Sequence, residues 1–137
     1  MTDSVLALDV GSKRIGIAVG EGTFAFQHAT LERTNVRADV AQIVALAHER
    51  GVRTIVVGDP LTMAGERGLA SEKIDAFVAH LARAWDGTID RIDERLTTAA
   101  AQKTLIGADV SRAKRKGVVD QLAAVGILQT WLARKQR

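Results

Sequence analysis

Two short apolar runs open this chain and set its pattern. Val5-Leu-Ala-Leu8 ends abruptly in Asp9, and a second run, Ile15 to Val19, follows Gly11-Ser-Lys-Arg14. The first run is β-prone at its ends and lacks polar alternation, as in a strand buried on both faces. Gly11 to Arg14 reads as a tight turn into a paired second strand. Gly20-Glu-Gly22 reads as a further turn, and Thr23 to Leu31 as a third strand. Asn35 then caps a helix running to about Arg50. Val36, Val40, Ile43, Val44 and Ala47 keep the 3.6-residue period there, and Gly51 stops it. Thr54 to Val57 repeats the buried-strand pattern and ends in Gly58-Asp-Pro60. Thr62 to Gly68 has two glycines and no periodicity, and reads as a mobile loop. Ser71 or a neighbour caps the next helix, which carries Ile74, Phe77, Val78, Leu81 and Trp85 on one stripe. Thr88 to Leu96 alternates around Ile89 and Ile92. Thr97 or Thr98 caps a helix from Ala99 to about Ile106, whose alanine run is a strong helix former. Ser111 to Gly117 reads as a basic loop, and Val118 to Lys135 as the last helix.

The order is three strands, helix, strand, helix, strand, two helices. An opening hairpin gives the sheet an antiparallel part, and the later alternation of strands and helices gives it a parallel part. The expectation is an α/β fold, a mixed five-stranded sheet flanked by helices on both faces. No repeat, low-complexity tract or linker divides residues 1–137, so one domain is expected. Hydrophobic residues make up 47% of the chain, enough for a core, and aromatics only 4%. That core is therefore built from Val, Ile, Leu and Ala. The absence of Cys removes disulfides, thiolate metal sites and a Cys nucleophile. No apolar run reaches the roughly 18 residues a membrane span needs. The N-terminus carries no secretory pattern, so the cytoplasm is the expected location.

The formal net charge is +3, unevenly placed: from Ser111 to Arg137, seven Lys or Arg stand against Asp120. Clustered positive charge marks a polyanion partner; a solvated surface is the plainer reading of any one such run. His48, near the end of its helix, reads as a helix-end cation or a surface residue.

Three acids stand at the ends of core elements: Asp9 after the first strand, Glu94 after the last, and Asp120 at the start of the last helix. Each also has an ordinary explanation. Asp9 can accept hydrogen bonds from its turn. Asp120 can sit in a first helical turn, where the helix dipole favours an acid. Yet Asp120 lies four and seven residues before Ala124 and Ile127 on an apolar side, preceded by Lys114-Arg-Lys116. Three convergent carboxylates are hard oxygen ligands suited to Mg²⁺ or Mn²⁺. In a two-metal site such ions, about 3.5–4 Å apart, activate water and stabilise the leaving oxygen of a phosphodiester. Lys13, Arg14, Arg95, Lys114, Arg115 and Lys116 are candidates to hold a nucleic-acid backbone.

These stretches resemble a known family. Asp9-Val-Gly-Ser-Lys-Arg-Ile-Gly-Ile-Ala18 is similar to the opening motif of the YqgF/RuvX proteins, small ribonuclease-H-like nucleases. Asp93-Glu-Arg-Leu-Thr-Thr98 resembles their second motif, and Ser111 to Ala124 their third. The resemblance runs the full length. It implies a ribonuclease-H-like fold and a metal-dependent nuclease, with the family's acids falling on Asp9, Glu94 and Asp120. It also implies processing of the 5′ end of pre-16S rRNA or resolution of Holliday junctions. One stretch departs: the family's Gly-Leu-Pro-Leu-Asn-Met-Asp-Gly is here Gly58-Asp-Pro-Leu-Thr-Met-Ala-Gly65. Asp59 is expected to be a surface loop acid rather than a further acid of the site.

Two other classes compete with the nuclease. A non-catalytic ribosome-assembly factor needs only the basic stretch, but three acids beside a phosphate-binding face repel the ligand. An actin- or sugar-kinase-type nucleotide binder also opens with Asp-x-Gly, but needs two such domains. The expected partner is nucleic acid, pre-rRNA or branched DNA, bound by a monomer or homodimer; a junction resolvase making paired cuts calls for the symmetric dimer.

Overall fold

The computed structural model describes residues 4–21, 24–60, 64–94 and 112–135, the last of these by backbone alone up to residue 122. The expected helix at Ala99–Ile106, with its Thr97 or Thr98 cap, lies outside the described residues, as does Arg95.

Strands β1 (Ser4–Val10), β2 (Arg14–Glu21) and β3 (Phe24–Glu32) come first, then α1 (Val36–Glu49), β4 (Val52–Asp59), α2 (Leu69–Ala84), β5 (Thr88–Asp93) and α3 (Arg112–Lys135). The sheet order is β3-β2-β1-β4-β5. The β1–β2 and β2–β3 pairs are antiparallel, whereas β4 lies parallel to both β1 and β5. The expected mixed five-stranded sheet is present. The turn from β1 to β2 closes through Gly11 N–H donating to the Arg14 carbonyl at 2.8 Å.

Because β-strand side chains alternate, each strand feeds two cores. Leu6, Leu8, Ile15, Ile17, Ile55 and Val57 face α1 and α2, meeting Val40, Ile43, Ile74, Phe77 and Leu81. Val5, Ala7, Ala18, Val56 and Ile92 face α3, meeting Ala123, Ala124, Ile127 and Leu128. So helices cover both faces. Gly20 lets β2 and α3 approach closely, since a Cβ there would stand 3.0 Å from Leu128 Cδ2. At about 0.8 kcal/mol per buried methylene, these two aliphatic layers supply most of what holds the sheet and helices together.

Asn35 caps α1 as expected, its side chain accepting from Ala38 N–H at 2.9 Å, and Gly51 follows with φ 66°. Four expectations need correction. Gly20 and Glu21 belong to β2 rather than to a turn. The N-cap of α2 is Gly68, and Ser71 lies inside the helix, fully buried, donating to Asp59 Oδ1 at 2.8 Å. Asp59 is no surface loop acid: it ends β4, is 8% exposed and is gripped by Arg67 at 2.7 Å. Finally, residues 112–117 are helical, not a basic loop. Arg, Ala and Lys are strong helix formers, and one Gly costs only about 1 kcal/mol. Asp120 is therefore the ninth residue of α3, not part of a first turn, and the first turn holds no acid. The dipole explanation for Asp120 falls away.

Candidate active site

Strand β1 delivers Asp9 to the face covered by α3. Val5 and Ala7 point that way, and Asp9 keeps their parity. It is 5% exposed. On β5, Ile92 faces α3 and Glu94 follows two residues later. Strand β4 runs between them, and Gly58 stands one residue beyond the Leu8–Val57 pair, opposite Ile92. A Cβ at Gly58 would come within 2.6 Å of Ile127 Cδ1 and 3.8 Å of Glu94 Cδ. The glycine thus leaves open the space between two acids that stand two strands, about 10 Å, apart in the sheet.

Asp9 and Glu94 line one cleft of about 290 Å³ at the C-terminal ends of the parallel strands, together with Gly11, Ser12, Arg33, Pro60 and Lys73. Open α/β sheets bind ligands at these strand ends. Among the described residues none donates a hydrogen bond to the buried Oδ2 of Asp9 or Oε1 of Glu94, although both residues make other interactions. Two carboxylates on one cleft, with no Cys in the chain and no His on the cleft, form a donor set that fits a hard divalent cation. Among the described residues no group of three His, Cys, Asp or Glu gathers at one point.

The direction of α3 bears on Asp120. Trp131 Nε1 donates to Asp90 Oδ2 at 3.0 Å, and one turn earlier Ile127 reaches Gly58, level with Ile92. Stepping back along α3 therefore means stepping forward along β5, toward Glu94. Asp120 lies on the same helical stripe as Ala124 and Ile127, two turns before the latter, about 10 Å farther along the axis. Its backbone position is that of an element heading for the end of the sheet that holds Asp9 and Glu94. Its side chain lies outside the described set.

The predicted backbone-binding cations divide. Lys13 is exposed. Arg14 donates from Nε to Glu32 Oε1 at 2.9 Å, an ion pair across β2 and β3. Lys114, Arg115 and Lys116 lie in the first turns of α3. His48 is exposed, 3.4 Å from Asp86, and its ring lies 5.3 Å from that of Trp85, in keeping with a surface residue.

Several site-building residues escaped the sequence reading. Arg33 donates its backbone N–H to the Lys13 carbonyl at 2.9 Å and its Nη1 to the Gly11 carbonyl at 2.9 Å. It thereby holds the turn that follows Asp9. Asp39, fully buried, anchors it through Nε at 3.2 Å and also accepts from Thr34 N–H at 3.1 Å. The Arg33 guanidinium lies 5.5 Å from the Phe77 ring centre, a cation–π contact. In sequence Asp39 reads as an ordinary first-turn acid of α1, and no spacing links it to Gly11. Lys73 looks like any exposed helix cation. On the far side of β4, Arg67 and Arg91 both grip Asp59 and Asp75.

A mixed five-stranded sheet with this order, closed on one face by the last helix and carrying acids at its strand ends, is the fold of the ribonuclease-H-like nucleases. The fold matches that of Thermus thermophilus RuvC in complex with a Holliday junction substrate, with TM-score 0.64 and 12% identity over 98% of this chain and 96% of that one. Residues 3–134 match the model of the RuvX family, described as Holliday junction resolvase, and the chain belongs to that family of nucleases. A relative from Halalkalibacterium halodurans is 48% identical over 135 residues, 96% of each chain. One from Myxococcus xanthus is 45% identical over 129 residues, 93% of this chain and 85% of its own. Both carry the provisional name pre-16S rRNA nuclease.

Proposed function

We propose that this protein is a divalent-metal-dependent nuclease that hydrolyses phosphodiester bonds in trimming the 5′ end of pre-16S rRNA. The names of its relatives supply the substrate. The observation that carries the reading is the meeting of Asp9 and Glu94, 85 positions apart in the chain, on one cleft beside Gly58. Asp9, Glu94 and, from α3, Asp120 would hold Mg²⁺ or Mn²⁺. Such an ion would supply an activated water and charge stabilisation for the leaving oxygen. The protein's own part is to fix the carboxylates: β1 and β5 set their spacing, and Arg33 locks the turn after Asp9. Lys13, Arg14, Arg95, Lys114, Arg115 and Lys116 take the phosphate backbone, Arg14 by exchanging Glu32 for it.

A second reading, resolution of Holliday junctions, is favoured by the likeness to RuvC and by the family description. It requires a symmetric dimer.

Incubation in Mn²⁺ or Mg²⁺ with a labelled pre-16S rRNA segment and a labelled four-way DNA junction separates the readings. The expected result is cleavage of the rRNA, lost in Asp9→Asn, Glu94→Gln and Asp120→Asn, each folded by circular dichroism. Cleavage of the junction alone selects the resolvase. Binding of both substrates at low salt without cutting either selects a non-catalytic assembly factor.

A further inference from the structure

We propose that Lys73 of α2 binds a substrate phosphate and holds the nucleic-acid strand against the cleft from the side opposite α3. This extends the nuclease reading and rests on it. Arg33, the one arginine among the described residues that line the cleft, is already paired, and so are three arginines of the neighbouring elements. Arg33 is paired with Asp39, Arg67 with Asp59 and Asp75, Arg91 with the same two acids, and Arg14 with Glu32. Lys73 differs. It is exposed, it lines the cleft with Asp9 and Glu94, and it makes no ion pair with a described residue.

Its position is fixed by the core rather than by the cleft. Ile74, the next residue, is 3% exposed and packs beneath the sheet, while Ser71, two residues earlier, is tied to Asp59. The backbone at Lys73 is thus anchored on both sides and its ammonium is left mobile on a four-carbon stem. A lysine is a point charge with three donors, suited to a phosphate oxygen whose orientation varies along a strand. It is too short of acceptors to serve a metal, and two nearby carboxylates alone would repel a polyanion. A cation beside them offsets that repulsion where the strand must come closest. The basic turns of α3 and Lys73 then sit on opposite faces of the sheet, so that a strand held by both crosses the strand ends over Asp9, Gly58 and Glu94.

The test uses the full chain. Binding of a labelled single-stranded pre-rRNA segment is measured against salt in metal-free buffer for wild type, Lys73→Ala, Lys73→Arg and Arg83→Ala. Cleavage kinetics of the same four proteins are measured in Mn²⁺. Arg83 is an exposed cation on the same helix, about 15 Å away along its axis, and controls for general loss of charge. Losing one phosphate contact should lower the slope of log affinity against log salt by about 0.7 for a single strand. Lys73→Ala should show that loss with its kinetic defect mainly in KM. Lys73→Arg should restore the slope, and Arg83→Ala should leave it unchanged. An unchanged slope in Lys73→Ala, or equal losses in Lys73→Ala and Arg83→Ala, overturns the assignment, while wild-type cleavage in the same experiment leaves the nuclease reading standing. Wild-type binding and a Lys73 slope change without any cleavage sustain the phosphate contact and remove the nuclease. Absence of wild-type binding overturns both.

Discussion

At the residue scale, the shape of the cleft depends on a side chain that does not line it. Asp39 carries no exposure and holds Arg33, which holds Gly11 and Lys13 by their carbonyls. Removing Asp39 leaves a partly buried guanidinium uncompensated, a loss of about 3–5 kcal/mol in comparable buried pairs. Asp39→Ala should therefore lower the unfolding free energy by an amount of that order, read from the shift of the urea midpoint multiplied by the slope m. Arg33→Lys should keep the charge, lose the forked contacts and reduce cleavage more than stability. Asp9 stands out in sequence because it ends an apolar run, and Glu94 because it follows the last alternating strand and lies in a stretch that resembles a family motif. Arg33 and Asp39 do not stand out: their roles come from a strand–helix junction folding back on a turn some twenty residues away, which no local pattern records.

At the element scale, β4 works through what it lacks on one face and what it buries on the other. Gly58 admits Ile127 against the strand and keeps the gap beside Glu94. Gly58→Ala would overpack this contact, and such changes typically cost about 1–3 kcal/mol. Ile127→Val removes the clashing Cδ1, so the double variant should be more stable than the sum of the two single losses predicts, as thermal unfolding of the four proteins would show. On the other face Asp59 joins Ser71, Arg67 and Arg91, and Asp75 closes the network. Hydrogen bonds from Arg91 and then Arg67 hold the Asp75 carboxyl below its ordinary value. The folded state thus binds that proton more weakly than the unfolded chain does. The network's contribution is complete above about pH 4 and is lost as pH falls through the lowered value. Asp75→Asn should accordingly reduce the unfolding midpoint near neutral pH, and the gap from wild type should close on acidification. The spacing of Asp59 and Arg67 suggested a loop because Gly and Pro punctuate it. The pairing partners lie on α2 and β5, beyond the reach of any local window.

At the scale of the whole molecule, the mixed five-stranded sheet and its two helix-covered faces followed from apolar runs of two periods, whereas the order of strands across the sheet came from the structure. The start of α3 did not follow from those runs either, since Gly117 and the basic composition mimic a loop while Arg, Ala and Lys favour a helix. Two carboxylates on one cleft disfavour each other's charge, and binding a metal to the folded state adds stability by mass action. Mn²⁺ should therefore raise the unfolding temperature of the wild type and leave that of Asp9→Asn nearly unchanged. In chelator, Asp9→Asn should melt at or above the wild-type temperature. A metal-induced rise as large in Asp9→Asn as in wild type would remove Asp9 from the binding set.

The antiparallel run of α3 along β5 also has a meaning in time. Asp9 is made first, Glu94 late and Asp120 later still, on a helix whose Ala124, Ile127 and Leu128 pack on the finished sheet. A chain still emerging from the ribosome has Asp9 in place before β5 and the last helix are made. On the proposed assignment of the three acids, cleavage would wait for the last helix to dock, so that synthesis itself would set the delay.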